Sequence, residues 1–295
     1  MKSLLLFASV CVHIALSSQT KTDIVKSIIL NADHIQDGVK GINITVHYNF
    51  HFLDSIYPND SVLKNVTFAS KFKVHIEAFE NNKNILAAMG HKSVATEKGN
   101  FHISSSTILM PSDINEDRTI TIFIPYASLK LSPQKHTIKV KAWISGKDGL
   151  NKSHKSTART QELEFTKPTT KIFEVSLDSL IADYFDTKGQ AWDHSLFDSD
   201  APDLDFSIYL SNVSVGNIYK GNSYFISFPQ KPRVFRFVIS ENDDILLLLQ
   251  DRDDVFDDEM ATWKFTSRNM NSGTVYEQKQ AKKNLRSFSF RCKVE

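Results

Sequence analysis

The residues of this chain whose types and spacing promise chemistry are aspartates gathered at the ends of apolar runs. In Ile245 to Glu259, ILLLLQDRDDVFDDE, an unbroken apolar run leads into Asp251, Asp253, Asp254, Asp257 and Asp258. Read as a buried strand, it delivers a loop loaded with carboxylates. Each negative charge disfavours ionisation of the next, so the loop alone costs free energy. A hard divalent cation reverses that sign, and calcium takes about six to eight oxygens, many of them from aspartate, in flexible geometry. A solvated acidic turn is the competing reading. A second acidic loop lies upstream in AWDHSLFDSDAPDLDFSIYL, with Asp193, Asp198, Asp200 and Asp203, and it enters an alternating strand through Phe206, Ile208 and Leu210. Two acidic loops, each at the end of an apolar strand, point to a calcium site.

A strand with acidic loops at one end, paired with another ending in D-x-D, resembles the C2 domain. In that family, aspartates from a first loop and an S-D-P-Y-like segment meet a D-x-D and a later aspartate from a third loop. They clasp calcium at one tip of an antiparallel β-sandwich. The resemblance covers about residues 170 to 295, and the aspartates carry most of it. It implies that Asp203, in A-P-D-L-D-F (Ala201 to Phe206), is a ligand, with Asp251 and Asp253 of the D-x-D and Asp257 or Asp258 after them. Asp193, following Trp192, is implied as the remaining first-loop ligand, with Asp198 or Asp200 as alternatives. The third loop is a residue or two shorter than usual, and Glu259 or Met260 stands where the family has glycine.

Four apolar residues sit oddly in these loops. Val255 and Phe256 lie between Asp254 and Asp257, and Leu196 and Phe197 lie just before Asp198. Pointing outward, they form an apolar cap ringed by carboxylates. Calcium would neutralise the ring, letting anionic headgroups approach while the side chains enter the interface. The competing reading folds them back onto the core.

The elements that must position these loops read as strands. Gly41 to Phe52, GINITVHYNFHF, alternates strictly, and Phe72, Val74, Ile76 and Ala78 repeat the pattern. Ile120, Ile122 and Ile124 follow, then Ile138, Val140 and Trp143 with one slip read as a bulge. Period-two runs separated by Asn, Asp, Gly, Ser and Pro predict half-buried antiparallel strands. Ile124 to Ile144 resembles a sandwich domain found beside C2-like modules in exported bacterial proteins. Lys167-Pro168-Thr169-Thr170 marks a linker, because proline cannot continue a sheet interior. Beyond it, Phe173, Val175 and Leu177 open a second set of strands, and Phe288, Phe290, Cys292 and Val294 close the chain. The expected fold is all-β: two tandem antiparallel β-sandwich domains, residues 19–166 and the C2-like 171–295.

Residues 1–18 read as an export signal. Lys2 supplies the positive start, Leu4 to Leu16 the apolar run, and Ala15-Leu16-Ser17 a small-x-small cleavage pattern. Cys11 as a lipidated residue is the weaker reading, since Val10 before it is not small. No later run is long enough to span a bilayer, so the mature chain is expected to be soluble or peripheral. After cleavage only Cys292 remains, so packing or bound ions must hold the fold without an intrachain disulfide. The net charge of +1 hides an asymmetry: residues 20–166 carry 18 Lys and Arg against 14 Asp and Glu, and residues 167–295 carry 16 against 20. The acidic half holds the acidic loops. No basic stripe with interleaved aromatics appears in the sequence, so nucleic acid is not implied.

Catalytic patterns are absent: no G-x-S-x-G, no H-E-x-x-H, no glycine-rich phosphate loop and no C-x-x-C. His47 and His51, read on one strand face, would stand roughly 13 Å apart, too far for one ion. The expected protein is an exported, non-enzymatic calcium-binding module, periplasmic, extracellular or at the cell surface. It docks calcium-dependently on membrane or envelope lipid or a partner. The alternative is a structural or adhesive β-sandwich in which calcium only rigidifies loops, with an enzyme of unrecognised site behind both.

Overall fold

The computed structural model describes residues 21–22, 24–57, 70–107, 116–184, 201–228, 230–252, 258–267, 277–278 and 285–295. The export-signal reading falls on residues 1–18, outside this set. The first ten strands are β1 (Lys21–Thr22), β2 (Val25–Gln36), β3 (Val39–Tyr48), β4 (Lys71–Glu80), β5 (Lys83–Asn84), β6 (His102–Thr107), β7 (Arg118–Pro125), β8 (Lys135–Lys147), β9 (Ser153–Ser156) and β10 (Arg159–Thr166). The remaining nine are β11 (Thr170–Ala182), β12 (Leu204–Leu210), β13 (Val213–Lys220), β14 (Phe225–Ser227), β15 (Arg233–Ser240), β16 (Asp244–Asp251), β17 (Asp258–Thr266), β18 (Glu277–Gln278) and β19 (Leu285–Val294). The fold is all-β, as the alternating runs predict. Among the described residues the one α-helix is His51–Ile56, and no helix is long and apolar enough to cross a membrane.

Strands of residues 21–166 pair only with one another among the described residues, and so do those of residues 170–294. A seven-stranded sheet runs β1-β9-β8-β4-β5, with β10 also on β8 and β6 also on β4, and β2-β3-β7 form a three-stranded sheet. In the C-terminal half a five-stranded sheet runs β14-β11-β19-β18 with β15 on β11, and a four-stranded sheet runs β13-β12-β16-β17. β4, β8, β16 and β19 bury alternate residues. Phe72, Val74, Ile76 and Ala78 of β4 meet Ile42, Ile44 and Val46 of β3 in one core. In the other half, Phe206 of β12 lies 5.8 Å from Phe288 of β19, and Trp263 of β17 stacks on Phe288 at 4.2 Å. Each such ring withdrawn from water contributes roughly 1.5–3 kcal/mol. Cys292 is buried among them, and burial pushes its thiol up to about 12.

Two local readings are corrected. The alternating run expected through Phe52 ends at Tyr48, and His51 opens the short helix, so His47 and His51 share no strand. Phe50, fully buried 4.9 Å from Phe72, fills the core where the strand stops. The bulge expected near Trp143 does not form. Ile138, Val140, Ala142 and Ile144 all face inward, so the small Ala142 holds the register and Trp143 stands on the outer face.

The two halves meet through backbone. The Asp37-Gly38 turn between β2 and β3 has both residues at positive φ, as a tight hairpin requires. Its Gly38 carbonyl accepts the Asp244 amide at 3.2 Å, and Asp37 accepts the Ser211 hydroxyl at 3.0 Å. A second approach is made at Gly90, at φ +85°, where a Cβ would lie 2.3 Å from the Phe237 Cβ and 2.5 Å from the Arg236 carbonyl oxygen. Next to it, fully buried His91 donates from Nε2 to the Val238 carbonyl at 2.8 Å, and its Nδ1 accepts the Ser128 hydroxyl at 3.1 Å. The Lys167 to Thr170 connector is held on both sides. Lys167 is buried and its Nζ donates to the Leu129 and Leu131 carbonyls at 2.6 and 2.8 Å, while Thr169 accepts the Glu241 amide at 3.0 Å.

Gly90→Ala adds a Cβ against backbone at a positive φ. It is expected to destabilise the protein by about 1–3 kcal/mol, read as a lower urea midpoint. Asp243, beside the same junction, accepts the Ser240 amide at 2.7 Å and the Lys40 amide at 3.4 Å, yet burial pushes its carboxyl up from 3.8 to about 7. The folded chain therefore holds a proton there that the unfolded chain has lost. This group's stability contribution is complete below pH 3.8 and declines as pH rises toward about 7. Urea titrations at several pH values in that window are expected to show wild type losing more stability with rising pH than Asp243→Asn, which cannot ionise.

Candidate functional site at the acidic tip

β16 carries apolar Ile245, Leu247 and Leu249 inward, and Asp251 is the next residue of the same parity. The pleat therefore turns Asp251 inward as well, and it is 0% exposed. A buried carboxylate needs donors. One is the backbone amide of Asp203, which reaches Asp251 Oδ1 at 2.7 Å, and the return bond runs from the Arg252 amide to the Asp203 carbonyl at 2.9 Å. β12 enters at this point, with Leu204 opposite Asp251, and β17 leaves from it, with Asp258 opposite Asp251. The register thus brings Asp203, Asp251 and the backbone of Asp258 to one end of the four-stranded sheet. Asp193, Asp198, Asp200, Asp253, Asp257 and the apolar Leu196, Phe197, Val255 and Phe256 lie outside the described residues.

Asp203 is engaged at both oxygens. Oδ1 accepts the Asn222 amide at 2.7 Å, and Oδ2 accepts the Tyr219 hydroxyl, which raises that phenol above its ordinary range. Three neighbours, Tyr219, Asp205 and Arg252, were not anticipated. Asp205, 9% exposed, accepts from Ser207 at 2.8 Å and from the Asn217 amide, and Arg252 stands 3.5 Å from its other oxygen. The same guanidinium lies 5.9 Å from the Tyr219 ring. The sequence signal for Asp205 was available in D-x-S, which puts acceptor and donor on one strand face. Tyr219 and Arg252 had none, because they reach the tip only through pairing.

This rim is an oxygen-rich end of a sheet, and its donor chemistry suits a hard cation. Each carboxylate oxygen keeps a second lone pair after one hydrogen bond. Among the described residues no group of three or more His, Cys, Asp or Glu is placed to hold a metal. A calcium ion here would need oxygens beyond the described carboxylates.

The fold and this tip define an all-β sandwich protein with an acidic sheet end. No family model matches the chain, and no curated protein matches it. Solved structures with some similarity include the following two. One is a biofilm associated protein, BSP domain, at 10% identity and TM-score 0.27, covering 85% of this chain and 52% of that one. The other is human GIVD cytosolic phospholipase A2, at 8% identity and TM-score 0.26, covering 77% and 33%. The chain thus spans about half and about a third of their lengths. At these TM-scores neither bears on what the chain does.

Removing the Asp251 carboxylate strands the buried Asp203 amide, whereas removing that of Asp203 frees groups that water reaches. Asp251→Ala is expected to cost about 1–3 kcal/mol and Asp203→Ala less, measured by urea denaturation in chelator.

Proposed function

We propose that the chain is an exported, non-enzymatic binding module whose acidic tip is closed by calcium and docks on anionic membrane or envelope lipid. The observation that carries this reading is the shared origin of the two acidic segments. Residues 185–200 end a few residues before Asp203, which immediately precedes β12, and residues 253–257 connect Arg252 to Asp258. These ends are joined by the 2.7 and 2.9 Å bonds between Asp203 and the Asp251–Arg252 pair. Both segments therefore spring from one point, each carrying aspartates and a pair of apolar residues. Calcium ligands in this reading are Asp203 and Asp251 with Asp193, Asp253, Asp257 and Asp258. Calcium supplies the charge that offsets carboxylate repulsion and attracts phosphate.

A second reading is a structural or adhesive β-sandwich in which calcium only braces loops. It is favoured by the orientation of Asp251, whose fully buried carboxylate serves the loop backbone rather than the surface. Calcium is expected to raise the melting temperature, and Asp251→Asn with Asp253→Asn to abolish that rise. Sites of extracellular type bind at about 10⁻⁴ to 10⁻³ M. Wild type and Phe197→Asp with Phe256→Asp are then sedimented with phosphatidylglycerol vesicles, in calcium and in chelator. Calcium-dependent binding lost in the double variant supports docking. A thermal shift without vesicle binding leaves the brace, and a melting temperature indifferent to calcium removes both readings.

A further inference from the structure

We propose that the outer face of the seven-stranded sheet binds an acidic polysaccharide, a sugar chain bearing carboxylate or sulfate groups. β4 and β8 lie antiparallel with Lys71 opposite Lys147, Lys73 opposite Ser145, His75 opposite Trp143 and Glu77 opposite Lys141. β9 extends the face, with Lys155 opposite Ser145. The alternate residues Phe72, Val74, Ile76, Ala142 and Ile144 are buried, so the pleat turns this set outward.

Charge on this face is uneven for a physical reason. Near its start β8 pairs with β10, whose Glu164 and Glu162 lie 2.5 and 3.6 Å from Lys135 and Lys139. β10 follows β8 only as far as Ala142, and from Ser145 onward its place is taken by β9. The glutamates stop with β10. Lys141 is held by Glu77 at 3.5 Å, but Lys71, Lys73, Lys147 and Lys155 form no ion pair among the described residues. Asp148 sits beside them but, among the described residues, forms no ion pair with them. It is 2% exposed, and its carboxylate accepts Tyr57 and His154 at 2.7 Å each and the Leu150 and Lys152 amides at 3.0 and 2.9 Å.

Two grooves occupy this face. One, of about 550 Å³, is lined by Lys71, Lys73, His75, Ser145 and Lys147, together with the buried Asp148. The other, of about 520 Å³, is lined by Lys141, Trp143, Lys155 and Thr157 with Glu77, whose carboxylate is taken up by Lys141. Between them stands a ridge of rings: His75 stacks on Trp143 at 5.1 Å and 12°, and on His102 at 5.3 Å and 27°. Burial, followed by His102, Lys73 and Lys155, pushes His75 down to about 4, so near neutral pH it is an uncharged hydrogen-bonding group beside the Ser145 hydroxyl at 2.9 Å. Lys71 and Lys73 stand roughly 7 Å apart along β4, with Lys147 across from Lys71 and the neutral Ser145 and His75 beside them, a spacing that suits a chain alternating charges with hydroxyls.

Single-stranded nucleic acid is the poorer fit, because it relies on bases stacking on successive free aromatic faces. Here one face of Trp143 is covered by His75, and Lys141 and Lys155 stand 5.0 and 5.9 Å from the ring. A bilayer presents its charges in a plane, which the recessed grooves do not follow.

The test is calorimetric titration of the full mature chain with polygalacturonate, with neutral dextran, a dT oligonucleotide and phosphatidylglycerol vesicles as comparisons. Wild type is expected to bind polygalacturonate and not dextran. Reversal of Lys71, Lys73 and Lys147 to Glu is expected to weaken binding by roughly tenfold or more, and their replacement by Gln by less. The control triple Lys83→Glu, Lys98→Glu and Lys130→Glu makes the same net change on other exposed positions and is expected to bind within about twofold of wild type. Urea midpoints establish that all variants fold. No binding of polygalacturonate, equal loss in both triples, or tighter binding of the oligonucleotide or vesicles overturns the proposal.

Discussion

The pleat of the β-strand is the constraint on which this structure depends. It commits every second residue to one face, and a one-residue slip would exchange the faces of an entire strand. Along β8 the inward set is Ile138, Val140, Ala142 and Ile144, and the outward set is therefore lysine-rich with Trp143 among it. Along β16 the same rule drives Asp251 inward behind Ile245, Leu247 and Leu249. One geometric rule thus produces a basic, aromatic sheet face in the N-terminal half and a buried carboxylate at a sheet end in the C-terminal half.

The junction between the halves obeys a different rule. Close approach is made where side chains are absent, at Gly38 and Gly90, and main-chain bonds fill the gap. A space of that kind has little water, and it favours uncharged forms. Burial accordingly pushes Asp243 up to about 7, His91 down to about 4 and Lys167 down to about 8. With Cys292 buried as a free thiol, the halves are fastened by packing and hydrogen bonds.

Most of the strands were legible because their signal is local. Phe72 to Ala78 and Phe288 to Val294 alternate in the sequence and alternate in burial, while in Phe173 to Leu177 and Phe206 to Leu210 the apolar set is buried and Ser176 and Ser207 are buried between them. The errors were local as well. Trp143 is large and apolar and was assigned to the core, where Ala142 sits, because a sheet with a crowded interior can use a small residue to keep register. The alternation runs on through Phe50 and Phe52 past the strand's end at Tyr48; Phe50 is buried all the same, and apolar spacing alone does not distinguish a strand from a chain that has turned.

The amino-acid sequence by itself determined the all-β class, the inward residues of most strands and the presence of aspartates at strand ends, since these follow from period-two patterning over a few residues. Tertiary structure decided which groups meet. The Asp203 amide reaches the Asp251 carboxylate across 48 positions of sequence, and Lys71 and Lys147 become neighbours only because β4 and β8 pair. Hydrogen bonds and Coulomb interactions act over a few ångströms of space, so long-range pairing must form before they can.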